Sequence, residues 1–201
     1  MNDFCEADTR EESHKAQFQT GSAPVPNKSS RLFVTTRVSS TQPSGETFLA
    51  KPEIRRAGIV DVEFGKDVIV VQPVNLYGCT IGDGSFVGPF VEIQKSVNIG
   101  KRCRIQSHSF ICELVTIGDE CFISHGAMFV NDLFGTGGPA ENPELWRPTR
   151  LGNRVSVGTN ATILPVTICD QVVIGAGSVV TKDITVPGIY AGNPARLLRR
   201  L

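Results

Sequence analysis

Large apolar residues recur at every sixth position through the middle of the chain, and a small or β-branched residue follows all but the last of them four places later. The nine large positions are Ile81, Val87, Ile93, Ile99, Ile105, Ile111, Ile117, Ile123 and Phe129. An α-helix repeats every 3.6 residues and a β-strand every two, so this period fits neither. It predicts a solenoid in which each unit is one short strand and one turn, and three units make a triangular coil.

The same period extends to both sides of this run, with two slips. Upstream, the pattern assigns the large positions to Val62, Val68 and Val74, which are six residues apart. The slip is the seven-residue step from Val74 to Ile81. Downstream it resumes at Leu151, loses one residue within ILPVTIC, and continues to Val186. Between them, residues 130–150 carry no repeat, and they are predicted to form an extruded loop. Loops of this length in a compact domain are usually functional.

Two regions are expected from these patterns. Residues 1–50 are rich in Ser, Thr, Gln and charge and have no period, so they are predicted to be a polar and largely disordered leader. Residues 51–201 are predicted to be the solenoid domain. The terminal ARLLRRL is too short for a helix of its own and is expected to form an amphipathic turn.

Composition narrows the class of protein. The formal net charge is +0, which offers no electrostatic case for a nucleic-acid partner. No apolar run is long enough for a membrane span, and the first thirty residues lack the apolar core of a signal peptide. The six cysteines form neither a disulfide framework nor a C-x-x-C metal pattern. We therefore expect free thiols, a cytoplasmic location and no bound metal.

Two stretches of the chain resemble known enzymes. The repeat IGDGSFVGPFVEI and the ending VIGAGSVVTKDITVPGIYAGNPARLLRRL resemble the left-handed parallel β-helix acyltransferases, over about residues 58–201. The narrower IQSHSFICELVTIGDECFISHGAMFVNDLF is similar to the sugar-nucleotide N-acetyltransferases, which carry F-x-N-D just before the long loop. These enzymes acetylate amino sugars, typically at a 3-amino group, for surface glycans such as the lipopolysaccharide O-antigen.

The resemblance implies an all-β, left-handed parallel β-helix shaped as a triangular prism. It also implies a homotrimer with active sites between neighbouring prisms, acetyl-CoA as co-substrate, and a nucleotide sugar as acceptor. The residues expected to hold the pantetheine arm, and then the adenine and phosphates, are Gly158, Ala176, Gly177, Thr181, Lys182, Asn193, Pro194 and Arg196. Exposed strand edges offer N–H and C=O groups to an amide-bearing arm, and the side chains of Lys182 and Arg196 offset phosphate charge.

Amide formation requires attack by a neutral amine on a thioester, a donor for the oxyanion, and a route for the departing proton. Of the three histidines, His14 lies in the leader. His108 and His125 occupy positions four and three of units eighteen residues apart, so they lie on the same face in adjacent coils. With strands about 4.8 Å apart, the two side chains come close to contact. His125 is a candidate general base; the alternative is a histidine at the surface or at the trimer interface.

Other candidate residues flank these histidines. By resemblance, Asn131 holds the amine in line with the thioester, and an amine that arrives neutral needs no side-chain base. Asn131 is otherwise a turn residue that starts the loop. Asp132 is expected to orient His125 or to bind the sugar, or else to be a solvated acid. Ser107 and His108 replace two asparagines of the family's IQNN, in the region expected to bind substrate.

Three further functions compete with N-acetylation. O-acetylation of a sugar or another small hydroxyl acceptor would require a side-chain general base. Relatives that acetylate hydroxyl groups often carry a histidine in the loop, and residues 130–150 contain none. A γ-type carbonic anhydrase would need three histidines around zinc. A non-catalytic structural subunit would lack the loop and the endings GAGSVVTKD and GNPAR, which this chain has. The sequence therefore favours an acetyl-CoA-dependent N-acetyltransferase.

Overall fold

The computed structural model describes residues 52–201, which form short strands and one 3₁₀ turn. The predicted leader, residues 1–50, lies outside the described residues. Before the loop the strands are β1 Ile59–Val60, β2 Glu63–Phe64, β3 Ile69–Val70, β4 Asn75–Tyr77, β5 Thr80–Ile81, β6 Phe86–Val87, β7 Glu92–Ile93, β8 Asn98–Ile99, β9 Arg104–Ile105, β10 Phe110–Ile111, β11 Val115–Ile117, β12 Phe122–Ile123 and β13 Met128–Phe129. After it they are β14 Thr149–Leu151, β15 Ser156–Val157, β16 Thr162–Ile163, β17 Thr167–Ile168, β18 Val172–Ile174, β19 Val179–Val180, β20 Gly188–Ala191 and β21 Arg196–Arg200.

Every third strand pairs in parallel, so the chain winds through three sheets and rises by one layer in each coil. Sheet A has the order β1-β4-β7-β10-β13-β16-β19, sheet B the order β2-β5-β8-β11-β14-β17, and sheet C the order β3-β6-β9-β12-β15-β18-β20-β21. The seven strands of sheet A correspond to seven coils. The predicted fold class, an all-β parallel β-helix of hexapeptide units, is confirmed.

The core is a column of aliphatic side chains along the axis of the helix. In sheet A the second residue of each central strand is buried, and Ile93, Ile111, Phe129 and Ile163 are stacked at the same register. Burying each such side chain contributes about 1.5–3 kcal/mol. Strands of two or three residues are therefore held by their place in the stack, because each strand alone is too short to be stable.

The register predicted upstream of Ile81 was wrong. Ile59 pairs with Leu76 and Phe64 pairs with Ile81, so the large inward positions continue through these residues, with five-residue steps from Ile59 to Phe64 and from Leu76 to Ile81. The three valines assigned to the large positions occupy the small inward position instead: Val62, Val68 and Val74. A valine suits both inward positions, so the period alone did not decide between them.

The prediction also failed at the C-terminal end. Ile168 bridges to Ile184, and Ile174 pairs with Tyr190, so Val186 is not a large inward position. The terminal ARLLRRL forms strand β21, antiparallel to β20, rather than an amphipathic turn. The hairpin β20–β21 thus ends sheet C with its only antiparallel pair among the described strands.

The turns that join the strands have two requirements. The fourth residue of most units has a positive φ, between +53° and +70° at residues such as Arg102, Glu120 and Leu114. At the corner between sheets B and C, the second residue is glycine in every turn except the last, which has Cys169. A Cβ on Gly82 would lie 2.7 Å from the backbone of Gly100. The recurring IG and IGD motifs therefore follow from the close approach of successive coils.

Candidate active site

The turns between sheet C and sheet A form one column, which we call the histidine corner. It consists of the turns at residues 88–90, 106–108, 124–126, 158–160 and 175–177. Backbone hydrogen bonds join successive turns: the N–H of Gly126 donates to Ser107 O at 3.0 Å, Asn160 N to His125 O at 3.0 Å, and Gly177 N to Thr159 O at 2.8 Å. This corner therefore carries Ser107, His108 and His125 together with Gly158, Ala176 and Gly177.

A hydrogen bond joins Ser107 to His125. The Ser107 Oγ lies 2.8 Å from His125 Nδ1, and the two residues are eighteen positions apart in adjacent coils. Within the described residues, the other ring nitrogen, Nε2, has no hydrogen-bond partner, and the His125 side chain is exposed to solvent. The arrangement fixes the ring on one side and leaves Nε2 available on the other.

His108 has a different neighbour. Its ring stacks on Phe90 of the preceding coil, with ring centroids 4.9 Å apart and an interplanar angle of 28°. The spacing places His108 and His125 in adjacent turns, but in residues 52–201 no hydrogen bond joins the two rings. The aromatic contact accounts for the orientation of His108 without a catalytic role.

Asn131 and Asp132 lie on the next corner, between sheets A and B, directly after β13. The Nδ2 of Asn131 donates to Glu113 O at 3.4 Å, and Asn131 O accepts from Arg147 N at 3.0 Å, which closes the base of the loop. Within one chain, a whole side of the triangular coil separates these residues from His125. The sequence proximity of Asn131 to His125 is therefore not proximity in space.

Both carboxylate oxygens of Asp132 are used by the loop. Oδ1 accepts from Phe134 N at 2.8 Å, and Oδ2 accepts from Ala140 N at 2.7 Å. The expectation that Asp132 orients His125 is not met by this geometry, because the carboxylate is directed to the loop backbone. The loop itself spans residues 130–148, two residues fewer than predicted, since Thr149 and Arg150 pair with β11.

The loop encloses a cavity next to this corner, of about 270 Å³. It is lined by Asp132, Leu133, Gly135, Thr136, Ala140, Leu145 and Arg147. Arg147 is exposed. The loop's one 3₁₀ turn, Pro143–Leu145, is capped by Asn142, whose side chain accepts from Glu144 N at 3.0 Å. The cavity thus combines an acid that braces the backbone with a cation and a hydroxyl.

The residues expected to bind coenzyme A divide into two groups. Gly158, Ala176 and Gly177 are on the histidine corner, where a Cβ on Gly158 would lie 2.5 Å from Ala176 N, so only glycine fits. Thr181, Lys182 and Arg196 line a second cavity of about 270 Å³ beside the hairpin β20–β21. Asn193 and Pro194 are in the bend of that hairpin, and they do not line the cavity.

Four of the five described cysteines are buried. Cys79, Cys103, Cys112, Cys121 and Cys169 are all free thiols, as expected. Burial raises the pKa of Cys79 to about 11 and that of Cys112 to about 12, so both remain protonated at neutral pH. The Cys103 Sγ contacts Gly118 O at 3.1 Å in the next coil. None of these thiols is placed on the histidine corner.

Two negative observations apply to residues 52–201. In this part of the chain, no group of three or more His, Cys, Asp or Glu side chains is arranged to hold a metal ion. The described residues also contain no helix that is long and apolar enough to span a bilayer.

Comparison with known proteins identifies the repeats. A family model described as bacterial transferase hexapeptide (six repeats) matches residues 78–113, and one described as hexapeptide repeat of succinyl-transferase matches residues 148–182. The galactoside O-acetyltransferase of Escherichia coli K12 is 35% identical over 133 residues, which are 61% of this chain and 64% of that enzyme. The chain therefore spans slightly less than two thirds of the length of this relative.

Two solved structures share the fold. A hexapeptide-repeat containing acetyltransferase from Vibrio cholerae O1, complexed with acetyl coenzyme A, is 27% identical with a TM-score of 0.53, and the match covers 62% of this chain and 71% of that one. A variant of AntD, an N-acyltransferase from Bacillus cereus in complex with dTDP and coenzyme A, is 23% identical with a TM-score of 0.62, covering 71% and 85%. With family models matching on both sides of the loop and one parallel solenoid running through both, the chain is built of hexapeptide repeats and is similar to the hexapeptide-repeat acyltransferases.

Proposed function

We propose that this protein transfers the acetyl group of acetyl-CoA to the amino group of a nucleotide-linked amino sugar. The expected acceptor is a 3-amino sugar made in the cytoplasm for a surface glycan such as O-antigen. The observation that carries the proposal is the histidine corner, where His125 is exposed and its Nε2 has no hydrogen-bond partner within residues 52–201, two coils from the turn at Ala176. Two coil spacings correspond to about 10 Å.

Acetyl-CoA suits the column of turns that follows His125. The turns at 158–160 and 175–177 are exposed or half-buried, so their outer backbone groups are available to the amides of a pantetheine arm. Lys182 and Arg196, beside the second cavity, supply cations for the phosphates. The Vibrio cholerae relative, which holds acetyl coenzyme A, supports the same co-substrate here.

The chemistry is aminolysis of a thioester. The neutral amine attacks the carbonyl carbon, the C–N bond forms, and the tetrahedral oxyanion collapses as the C–S bond breaks. The thiolate of coenzyme A leaves and takes up a proton. The proton lost by the amine passes to Nε2 of His125 or to water, and a side-chain base at this step contributes about 10²–10⁴-fold to the rate.

The acceptor site is proposed to lie between subunits of a homotrimer. His125 and Asn131 project from successive corners of the same coil, so a small acceptor that contacts both residues needs them from different chains. In this arrangement the loop of one subunit, with Asn131 and the Asp132-braced cavity, faces the histidine corner of its neighbour. Asn131 then positions the amine, and Ser107 and His108 flank the acceptor from the other side.

The test is release of free thiol from acetyl-CoA with a panel of nucleotide-linked amino and hydroxy sugars. Wild-type protein is compared with Asn131→Ala and His125→Ala. Turnover with a 3-amino sugar that is abolished in Asn131→Ala supports N-acetylation. A turnover rate about 10²-fold below wild type in His125→Ala assigns His125 as the base. No turnover with any acceptor, together with no binding of acetyl-CoA, would return the chain to a structural role.

O-acetylation is the second candidate, because the 35% identical relative is a galactoside O-acetyltransferase. A hydroxyl is a weaker nucleophile than an amine, so this reaction would depend fully on His125 as base. The same panel separates the two functions: turnover confined to hydroxy sugars would replace the amine acceptor with a hydroxyl.

A further inference from the structure

We infer that Ser107 is a positioning residue for His125, an inference that rests on the proposed function. In the reacting state, Nδ1–H of His125 donates to Ser107 Oγ, and the lone pair of Nε2 faces the acceptor. The contact that carries the inference is the 2.8 Å separation of Ser107 Oγ and His125 Nδ1. Ser107 therefore acts through the ring, and it is not itself a catalytic residue.

The two side chains are held together by the backbone. Gly126 N donates to Ser107 O at 3.0 Å, which ties the turn at 124–126 to the turn at 106–108. Gly126 has a φ of +65°, and a Cβ at that position would collide with the side chain of Asn160. The turn that carries His125 is thus held against the coils on both sides. The contact between Ser107 and His125 joins the same two coils that the backbone bond from Gly126 N to Ser107 O joins.

The proton balance explains why a hydroxyl suits this position. Neutral imidazole has one N–H donor and one acceptor nitrogen, whereas imidazolium has two donors. When Nε2 takes the proton of the acceptor, Nδ1 must carry its own proton, and Ser107 Oγ is the described group that accepts it. No heavy atom has to move between the two states, because the hydroxyl keeps the same partner throughout.

The opposite direction of this bond is the competing arrangement. If the Ser107 hydroxyl donates to Nδ1, then Nε2 carries the proton and is unable to act as a base. The two tautomers differ in ¹⁵N chemical shifts, so the direction is measurable without any substrate.

The experiment records ¹⁵N–¹H correlation spectra of the histidine rings in wild type, Ser107→Ala and Ser107→Thr, with His125→Gln used for assignment. Wild type is expected to show His125 protonated at Nδ1. Ser107→Ala is expected to lose that preference, and Ser107→Thr, which retains the hydroxyl, to keep it. Protonation of wild-type His125 at Nε2, or an unchanged tautomer in Ser107→Ala, would overturn the inference.

Kinetics provide the second measurement. In Ser107→Ala, kcat is expected to fall about tenfold, a part of what a base contributes, with KM for acetyl-CoA unchanged. Ser107→Thr is expected to restore kcat, and failure of that rescue despite an unchanged melting temperature would also reject the inference. If wild type acetylates no acceptor, the proposed function fails, while the spectra still report on the Ser107–His125 bond.

Discussion

Single glycines determine how closely successive coils approach. Gly82 and Gly84 lie in the same turn but require glycine for different reasons, the first for space and the second for backbone conformation. A Cβ on Gly82 would lie 2.7 Å from the backbone of Gly100, whereas a Cβ on Gly84 would meet only Arg102 Cγ at 3.6 Å. The φ of Gly84 is +67°, so its requirement is conformational. The first position is closed to a methyl group, and the second is only strained by it.

We expect Gly82→Ala to cost about 3 kcal/mol of unfolding free energy and Gly84→Ala about 1 kcal/mol. The measurement is thermal unfolding followed by circular dichroism, where 1 kcal/mol corresponds to about 2–4 °C for a domain of this size. Equal losses in the two variants would show that the coils shift apart to accept a methyl group at Gly82.

Residue-level predictions from the sequence succeeded where one residue type has one role. The isoleucines from Ile81 to Ile123 are large, so their period placed them in the core correctly. Val62 and Val68 fit either inward position, and the register there came out wrong. In the candidate site, Ser107 and His125 are eighteen residues apart, so the period places them in adjacent coils. Their hydrogen bond could not be predicted, because it depends on side-chain rotamers that the spacing does not determine.

At the scale of elements, the loop is an insertion held at its base by two residues. Asn131 O accepts from Arg147 N, and Asp132 accepts from Phe134 N and Ala140 N. The sequence predicted the loop from the missing repeat, but the role of Asp132 as its brace depends on the path of the backbone. The hairpin β20–β21 was not predicted either, because its residues do not follow the six-residue period.

The brace predicts a separation of binding from folding. In Asp132→Ala two loop N–H groups lose their acceptor, so amide hydrogen exchange across residues 133–147 is expected to rise by about tenfold or more, since a hydrogen bond to a charged acceptor is worth about 1.5–3 kcal/mol. KM for the acceptor should rise, whereas KM for acetyl-CoA should remain unchanged. The melting temperature should fall little, since the core column does not include the loop.

Asp132→Asn is the matched control, because it keeps one acceptor oxygen and the same shape. Its exchange rates are expected to fall between those of wild type and Asp132→Ala. If Asp132→Ala leaves both the exchange rates and the acceptor KM unchanged, the carboxylate does not order the loop in solution.

At the scale of the whole molecule, the decisive question is whether His125 and Asn131 of one site come from one chain or from two. They lie on different corners of the same coil, which favours two chains. Co-expression of His125→Ala with Asn131→Ala, each strongly impaired alone, is then expected to recover activity. In random trimers, about one quarter of the inter-subunit sites combine an intact histidine with an intact asparagine.

A second mixture removes the dependence of the test on the absolute rate of the recovered enzyme, because only the fraction of wild-type activity is compared. Wild type is co-expressed in equal amounts with the double variant His125→Ala/Asn131→Ala. Shared sites retain about one quarter of full activity, because both neighbours must be wild type, whereas sites within one chain retain about one half. Light scattering measures the oligomeric state of each mixture. Recovery of one half here in a trimer, with none from the two single variants, would assign both residues to one chain. Recovery of one quarter in both mixtures would make the trimer a requirement of the chemistry, because no subunit would then hold a complete site.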